Sequence, residues 1–148
     1  MTEVPIITEL RLPTRLGFEK VAMNTAASVA SIMGFSEDRI DDLKTAVAEA
    51  CINAIEHGNK LNERLSVVVT LAMSEEALEV KIRDQGGGVH AAMHVPDIDR
   101  KMRGEEDPRG MGMFLIQALV DEVEYVSGRS GSYARLVIRL NPEAVNKA

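Results

Sequence analysis

Residues 46–59 read AVAEACINAIEHGN, and their pattern predicts an amphipathic helix with polar residues at a regular interval. Glu49, Asn53 and His57 are four residues apart, so they lie along one side of such a helix. Asn53 and His57 border its apolar stripe, where a polar group costs free energy unless it is hydrogen-bonded. The three side chains can face a common ligand, but a backbone hydrogen bond for Asn53 and a half-buried packing role for His57 explain the same spacing.

Apolar spacing and capping signals predict the elements on both sides of this helix. Ser36 and Asp38 are suitable N-caps for it, and Gly58 ends it. The first strand is expected at a sheet edge, because Pro5 and Pro13 cannot donate to a ladder. The predicted order is β α α β β α β β, with elements at Val4–Leu12, Leu16–Met33, Ser36–Gly58, Leu65–Met73, Ala77–Arg83, Gly112–Asp121, Glu124–Ser127 and Tyr133–Leu140.

This order predicts the fold class, because it lacks the strand–helix alternation of a doubly wound parallel sheet. We expect an α+β two-layer sandwich, with a mixed, mostly antiparallel sheet and helices on one face. The length of 148 residues is typical of one domain, so a single domain over residues 1–148 is predicted. Residues 91–109 do not fit a packed element, since Pro96 and Pro108 lie among many charged residues there. We interpret about 89–109 as a lid.

Composition and charge exclude several classes of protein. The net charge of −6 and the pI near 5.1 argue against binding of a nucleic-acid backbone, which depends on clustered Lys and Arg. No apolar run is long enough to span a membrane, and the N-terminus lacks the features of a secretion signal. The one cysteine, Cys51, cannot form an internal disulfide. We therefore expect a cytoplasmic protein with no membrane or nucleic-acid partner.

A second candidate site follows a predicted strand in VKIRDQGGGV, residues 80–89. Asp84 ends the strand, and three consecutive glycines, residues 86–88, come directly after it. Each glycine raises the entropy that folding must remove, so close approach of the backbone to a ligand is one reason for three together. A plain hairpin turn with Asp84 as the turn former is the alternative. A dinucleotide fingerprint is disfavoured, because Pro96 interrupts the helix that it requires.

A third candidate site is RGMGMFLIQALVDEV, residues 109–123, in which two glycines precede an apolar helix. Free N–H groups and the positive end of the helix dipole favour a phosphate at such a position, and Arg109 adds a cation. Gly110 and Gly112 are equally consistent with ordinary loop structure, and no P-loop is present. Together, the three sites provide a carboxylate, a close backbone approach and a phosphate cradle. This combination suits ATP, and Asn53 can offer an oxygen to Mg²⁺.

In their order and spacing, the three segments resemble the N, G1 and G2 boxes of the histidine-kinase-like (GHKL) ATPases, over roughly residues 36–121. The Asn53-x-x-x-His57-Gly58 ending and the runs at 114–116 and 121–123 are most similar to bacterial anti-sigma factor serine/threonine kinases. The resemblance implies ATP and Mg²⁺ as cofactors, with Mg²⁺ on Asn53. It also implies nucleotide contacts from His57, Asp84, Gly86, Gly88, Arg109, Gly110, Met111, Gly112 and Met113.

The resemblance also implies a mechanism and partners. Glu49 is at the position of the catalytic base and Arg109 meets the terminal phosphates, while the Asp84 carboxylate binds the adenine amino group. The phosphoryl acceptor is expected to be a serine or threonine of an anti-anti-sigma (STAS-type) protein, which competes with a sigma factor for the kinase. A homodimer is expected, with a possible contribution from the strand at Val4–Leu12. The alternative is a non-catalytic ATP-binding anti-sigma module or another partner-switching regulator.

Overall fold

The computed structural model describes residues 4–86, 108–129 and 131–140. The elements follow the order β α α β β α β β that the sequence predicts, with three helices and five strands in this part of the chain. A short π-helical turn, Ala54–Gly58, extends the second helix. In chain order the elements are β1 (Ile6–Pro13), α1 (Glu19–Met33), α2 (Glu37–Asn53), the π-helical turn, β2 (Ser66–Met73), β3 (Ala77–Arg83), α3 (Pro108–Leu119), β4 (Glu122–Gly128) and β5 (Gly131–Arg139).

The described strands form one sheet in the order β1-β2-β3-β5-β4, and each neighbouring pair is antiparallel. Residues that are directly opposite in such pairs share a face, so the register aligns whole rows of side chains across the sheet. One row on the inner, helix-covered face consists of Leu10, Val69, Ile82, Ala134 and Tyr125. Ala134 is important for the site described below, because its small side chain lies in this row between the larger side chains of Ile82 and Tyr125.

Helices α1 and α2 cover the inner face of the sheet, and they differ in the size of the side chains that they bury. Helix α1 presents Ala22, Ala26 and Ala30, which are spaced by four residues and fully buried. Such small side chains permit close approach to α2, which in turn buries Leu43 and Val47 in the core. The Ser36 hydroxyl caps α2 by accepting a hydrogen bond from the Arg39 N–H. This packing fixes the long α2 above the centre of the sheet.

The α+β two-layer architecture is therefore confirmed, with a sheet that is fully antiparallel in its described part rather than mixed. Strand β1 is at the sheet edge as predicted, and Val4 and Ile6 are 86% and 61% exposed. Helix α1 begins at Glu19 rather than Leu16, since Gly17 adopts a left-handed φ of 108° that a helix cannot contain.

The third helix begins four residues earlier than predicted, at Pro108 instead of Gly112. Proline suits the first position of a helix, where its fixed φ is favourable and its missing N–H is not needed. Gly110 and Gly112 therefore lie within the first turns of α3 rather than before it. The predicted lid, about 89–109, lies almost wholly outside the described residues. None of the described helices combines the length and the apolar run needed to cross a bilayer.

Candidate functional site

A cavity opens between the C-terminal end of α2 and the part of the sheet formed by β3, β5 and β4. The sheet places it there because Ala134 leaves space on the inner face between Ile82 and Tyr125. Its lining combines an apolar floor with a few polar groups, as ligand pockets generally do. The polar lining residues are Asn53, His57, Asp84, Tyr125, Ser132 and Tyr133. Of these, Tyr133 has its ring on the opposite face of the sheet, beside Lys81 and Arg83.

Asp84 is the most constrained polar residue of this cavity and is only 7% exposed. Its Oδ1 accepts hydrogen bonds from the N–H groups of Gly86, at 3.1 Å, and Ser132, at 3.0 Å. The Asp84 N–H donates to the Ser132 carbonyl at 2.8 Å, which continues the pairing of β3 with β5. Burial raises the pKa of Asp84, and the two backbone hydrogen bonds only partly oppose that shift. The carboxylate is thus fixed in place and incompletely compensated for its lost hydration.

Two glycines allow the backbone to pass within contact distance of this carboxylate. A Cβ on Gly58 would overlap the Asp84 side chain, and a Cβ on Gly86 would overlap the Gly58 carbonyl oxygen. The end of the π-helical turn and the segment after β3 therefore touch through backbone atoms alone. This contact explains the need for glycine at both positions, and it brings the first and second predicted sites together.

Asn59 connects the same region to the other strands. This side chain is 2% exposed, and its Nδ2 donates to Thr14 Oγ1 at 2.8 Å and to the Ser66 carbonyl at 3.0 Å. Its Oδ1 accepts from the Gln85 N–H at 2.8 Å. Asn59 thereby joins the segment after the π-helical turn to the ends of β1, β2 and β3. It is a positioning residue that holds the turn carrying Asp84.

Three buried side-chain atoms of the described residues have no hydrogen-bonding partner: Asn53 Nδ2, Tyr125 OH and Ser132 Oγ. All three residues line this one cavity. Because buried polar groups in native proteins are nearly always paired, such a concentration indicates a ligand or bound water in the cavity. The cavity therefore fits a polar ligand that both accepts and donates hydrogen bonds.

Asn53 also joins this cavity to a second group of residues. A Cβ on Gly112 would lie 2.8 Å from Glu49 Oε2 and 3.8 Å from Asn53 Nδ2, so α3 approaches α2 at this point. Glu49 is half-buried there. The first and third predicted sites are thus adjacent, and a ligand that extends from the cavity past Asn53 meets the Glu49 carboxylate.

The other predicted site residues have different outcomes. His57 lines the cavity, whereas Met113 is 5% exposed and is not among the cavity's lining residues. Gly88 lies outside the described residues. Arg109, Gly110 and Met111 belong to the first turns of α3, and their side chains are not described. The nucleotide contacts predicted for these residues stay predictions.

Three residues of the site were missed by sequence reasoning. Tyr125 and Ser132 face the cavity because of strand alternation, but predicted β5 began one residue after Ser132, and no signal set the register of Tyr125. Asn59 follows Gly58 and resembled an ordinary residue at a helix end. The sequence offers no sign of its hydrogen bonds with Thr14, Ser66 and Gln85.

The chain matches a family model described as "Histidine kinase-like ATPase domain" over residues 13–138. It is similar to proteins named serine-protein kinase RsbW. The protein from Bacillus pumilus is 33% identical over 159 aligned positions, which cover 99% of this chain and 93% of that protein. The one from Bacillus subtilis is 32% identical, covering 93% and 88%. The one from Listeria monocytogenes is 32% identical, covering 78% and 76%.

A solved structure supports the fold independently. The RsbU and RsbW domains of a Mycobacterium tuberculosis protein match with a TM-score of 0.66 and 20% sequence identity. The match covers 91% of this chain but 32% of that structure, so this chain spans about a third of that protein. At this identity the match supports the two-layer architecture only.

The raised pKa of Asp84 gives a stability prediction with a defined sign. A carboxyl group whose pKa is higher in the folded than in the unfolded state stabilises the fold fully below the unfolded pKa, about 3.9. This contribution is lost as the pH rises through the folded pKa.

In the absence of nucleotide, the free energy of unfolding of Asp84→Asn relative to wild type should therefore increase from about pH 4 to about pH 7, as measured by urea denaturation. Asp41→Asn, at an exposed position of α2, is the control. A difference for Asp84→Asn that is flat or decreases with pH would contradict the assignment.

Two glycine-to-alanine variants should behave oppositely. Gly86→Ala places a methyl group on the Gly58 backbone, which cannot move away easily, so the free energy of unfolding should fall by roughly 1–3 kcal/mol. Gly112→Ala meets the mobile end of Glu49 and improves helix propensity, so stability should be unchanged or rise by up to about 1 kcal/mol. Chemical denaturation tests both variants. Equal stability of Gly86→Ala and wild type would refute the close backbone contact.

Proposed function

Because the chain belongs to the histidine kinase-like ATPase family, in its branch of anti-sigma serine kinases, we propose that it is an ATP-dependent protein kinase and anti-sigma factor. Its substrate is a serine or threonine hydroxyl of an anti-anti-sigma, STAS-type protein, and its other partner is a sigma factor. The observation that carries the proposal is the position of Asn53. This residue borders the cavity on one side and lies beside Gly112 and Glu49 on the other.

The cavity is the proposed site of the adenine base. The Asp84 carboxylate is a hydrogen-bond acceptor in a nearly dry place, and an exocyclic amino group is a donor that suits it. Both hydrogen bonds that described residues donate to this carboxylate end on Oδ1. The amino group of adenine would bind Oδ2, beside which Gly58 carries no side chain that could block it. His57 contributes to the wall of the same cavity.

The proposed phosphate end of the nucleotide lies past Asn53, toward Glu49 and α3. The described residues contain no cluster of three or more His, Cys, Asp or Glu side chains that could enclose a metal ion. Mg²⁺ typically takes one or two protein oxygens and completes its shell with water and phosphate oxygens, so a single ligand such as Asn53 suits it. Asn53 would hold the ion through its side-chain oxygen, and the bound ion would offset negative charge on the phosphates. The N–H groups in the first turn of α3 would bind phosphate oxygens.

Glu49 is the proposed general base. Its carboxylate would accept the proton of the attacking hydroxyl while that oxygen forms a bond to the γ-phosphorus. The bond from the γ-phosphorus to the bridging oxygen breaks at the same time, and ADP leaves. Arg109 would pair with the transferred phosphoryl group. The proximity of Glu49 to Gly112 and Asn53 supports this role, because the acceptor hydroxyl must approach the same end of the nucleotide.

Strand β1 is the proposed homodimer contact. It is an edge strand, and the side chains of Ile6 and Ile7 within it are 61% and 55% exposed. An unpaired edge with apolar side chains is suited to pairing with a second chain. A pair of chains joined there would leave the nucleotide cavity open, since β1 and β4 are at opposite edges of the sheet.

A phosphotransfer experiment separates the kinase from the non-catalytic alternative. The chain is incubated with Mg²⁺, radiolabelled ATP and each STAS-domain protein of the source genome in turn. We expect transfer to one of them by wild type, a loss of about 10²- to 10⁴-fold for Glu49→Gln, and nucleotide affinity within about threefold of wild type. Glu56→Gln, a half-buried neighbour on the π-helical turn, is the matched control and should keep full activity.

Two results would count against the proposal in different ways. Undiminished transfer by folded Glu49→Gln would remove Glu49 from the role of base. Binding of ATP by wild type without transfer to any STAS-domain protein would favour the non-catalytic anti-sigma module.

A further inference from the structure

We propose that Tyr125 is a specificity-determining residue for the nucleotide base, and that its hydroxyl donates a hydrogen bond to a ring nitrogen of the purine. This inference rests on the proposed function, because it takes the cavity to be the site of adenine. It adds a contact from Tyr125 of β4, a residue that lies outside all three predicted sites.

The register of the sheet places Tyr125 at the cavity. Tyr125 is opposite Ala134 on β5, and Ala134 is opposite Ile82 on β3, so all three side chains are on the inner face. The methyl group of Ala134 is too small to fill the space between its larger neighbours. The ring of Tyr125 can therefore form a wall of the cavity, and its lining position agrees with this placement.

The hydroxyl of Tyr125 is buried and has no hydrogen-bonding partner among the described residues. Burial raises the pKa of Tyr125 to about 12, so the group keeps its proton at neutral pH and can act as a donor. A buried hydroxyl without a partner destabilises a fold, whereas phenylalanine would fill the same volume without that cost. The packing of the protein alone thus gives no reason for tyrosine at this position, and a bound ligand gives one.

The position of Tyr125 indicates which part of the base it contacts. Asp84 is at the end of β3, whereas Tyr125 is two strands away on β4, across β5. Neighbouring strands are about 4.8 Å apart, so the two side chains approach the cavity from different sides. A base whose amino group donates to Asp84 therefore presents another part of its rim to Tyr125. The acceptors available on adenine are its ring nitrogens, which match a tyrosine donor.

Tyr133 provides a matched control in the adjacent strand. Tyr133 borders the cavity, but its ring is on the outer face of the sheet, 5.3 Å from Lys81 Nζ and 5.2 Å from the guanidinium carbon of Arg83. Tyr133→Phe removes the same hydroxyl from the opposite face. The pair of variants thus separates a contact inside the cavity from a general effect of losing a tyrosine hydroxyl.

The first test measures ATP affinity by titration calorimetry and thermal unfolding without nucleotide. Tyr125→Phe should bind ATP roughly five- to tenfold more weakly than wild type, the effect of one neutral hydrogen bond. Its melting temperature without nucleotide should be equal to that of wild type or higher, because the variant removes an unpartnered buried group. Tyr133→Phe should change the affinity by less than about twofold. A lower melting temperature with unchanged affinity would show a structural role and overturn the proposal.

The second test identifies the contacted atom with ATP analogues that each lack one ring nitrogen. The analogue without the contacted nitrogen should lose affinity for wild type but lose much less for Tyr125→Phe, since the interaction is already absent. Fully additive effects for every analogue would refute the hydrogen bond. If wild type bound no ATP, the proposed function itself would fail. If wild type bound ATP and Tyr125→Phe bound it equally well, only this inference would fail.

Discussion

The Asp84 carboxylate lies where the end of β3, the start of β5 and the turn after α2 meet, and the site depends on holding it there. The Gly86 and Ser132 N–H groups fix its orientation, while Gly58 approaches so closely that no side chain fits between. Asn59, which follows this turn, hydrogen-bonds to Thr14, Ser66 and Gln85 and so attaches the turn to the ends of β1, β2 and β3. A carboxylate placed in this way is a rigid hydrogen-bond acceptor, and rigidity is what selective binding of a donor requires.

The polar groups that line the cavity beside this carboxylate lack some of the interactions that would compensate for their burial, whereas the surrounding core is apolar. Below the cavity, the inner face of the sheet consists of fully buried aliphatic side chains such as Val80 and Leu136. Within it, Asn53, Tyr125 and Ser132 each leave a buried polar atom unpaired, and the Asp84 carboxyl has lost hydration. Each of these features costs stability in the free protein and can be offset when a polar ligand binds. The arrangement is therefore that of a preformed binding site rather than a packing defect.

Local signals in the sequence predicted much of the fold and part of the site. The strand at Ala77–Arg83 was predicted with its observed bounds, because its β-rich residues and the turn before it are adjacent in sequence. The predicted start of α3 at Gly112 was wrong, because the helix begins at Pro108 and continues through the glycines that follow it. Asn53 was predicted as a site residue from its spacing, whereas Tyr125 was not, since its position depends on the pairing of β4 with β5. The contact of Gly58 with Asp84 was missed for the same reason, because it joins residues that are distant in sequence.

Calorimetric titration of the unmodified chain with ATP and with GTP, both with Mg²⁺, tests the central claim most directly. In the proposed complex the adenine amino group would donate to the fixed Asp84 carboxylate, whereas guanine has a carbonyl oxygen at the same ring position and would place a lone pair against it. The account predicts one ATP bound per chain and GTP affinity at least about tenfold weaker, the cost of leaving a buried acceptor unpaired. No heat with ATP at millimolar concentration, or equal affinity for the two nucleotides, would contradict it.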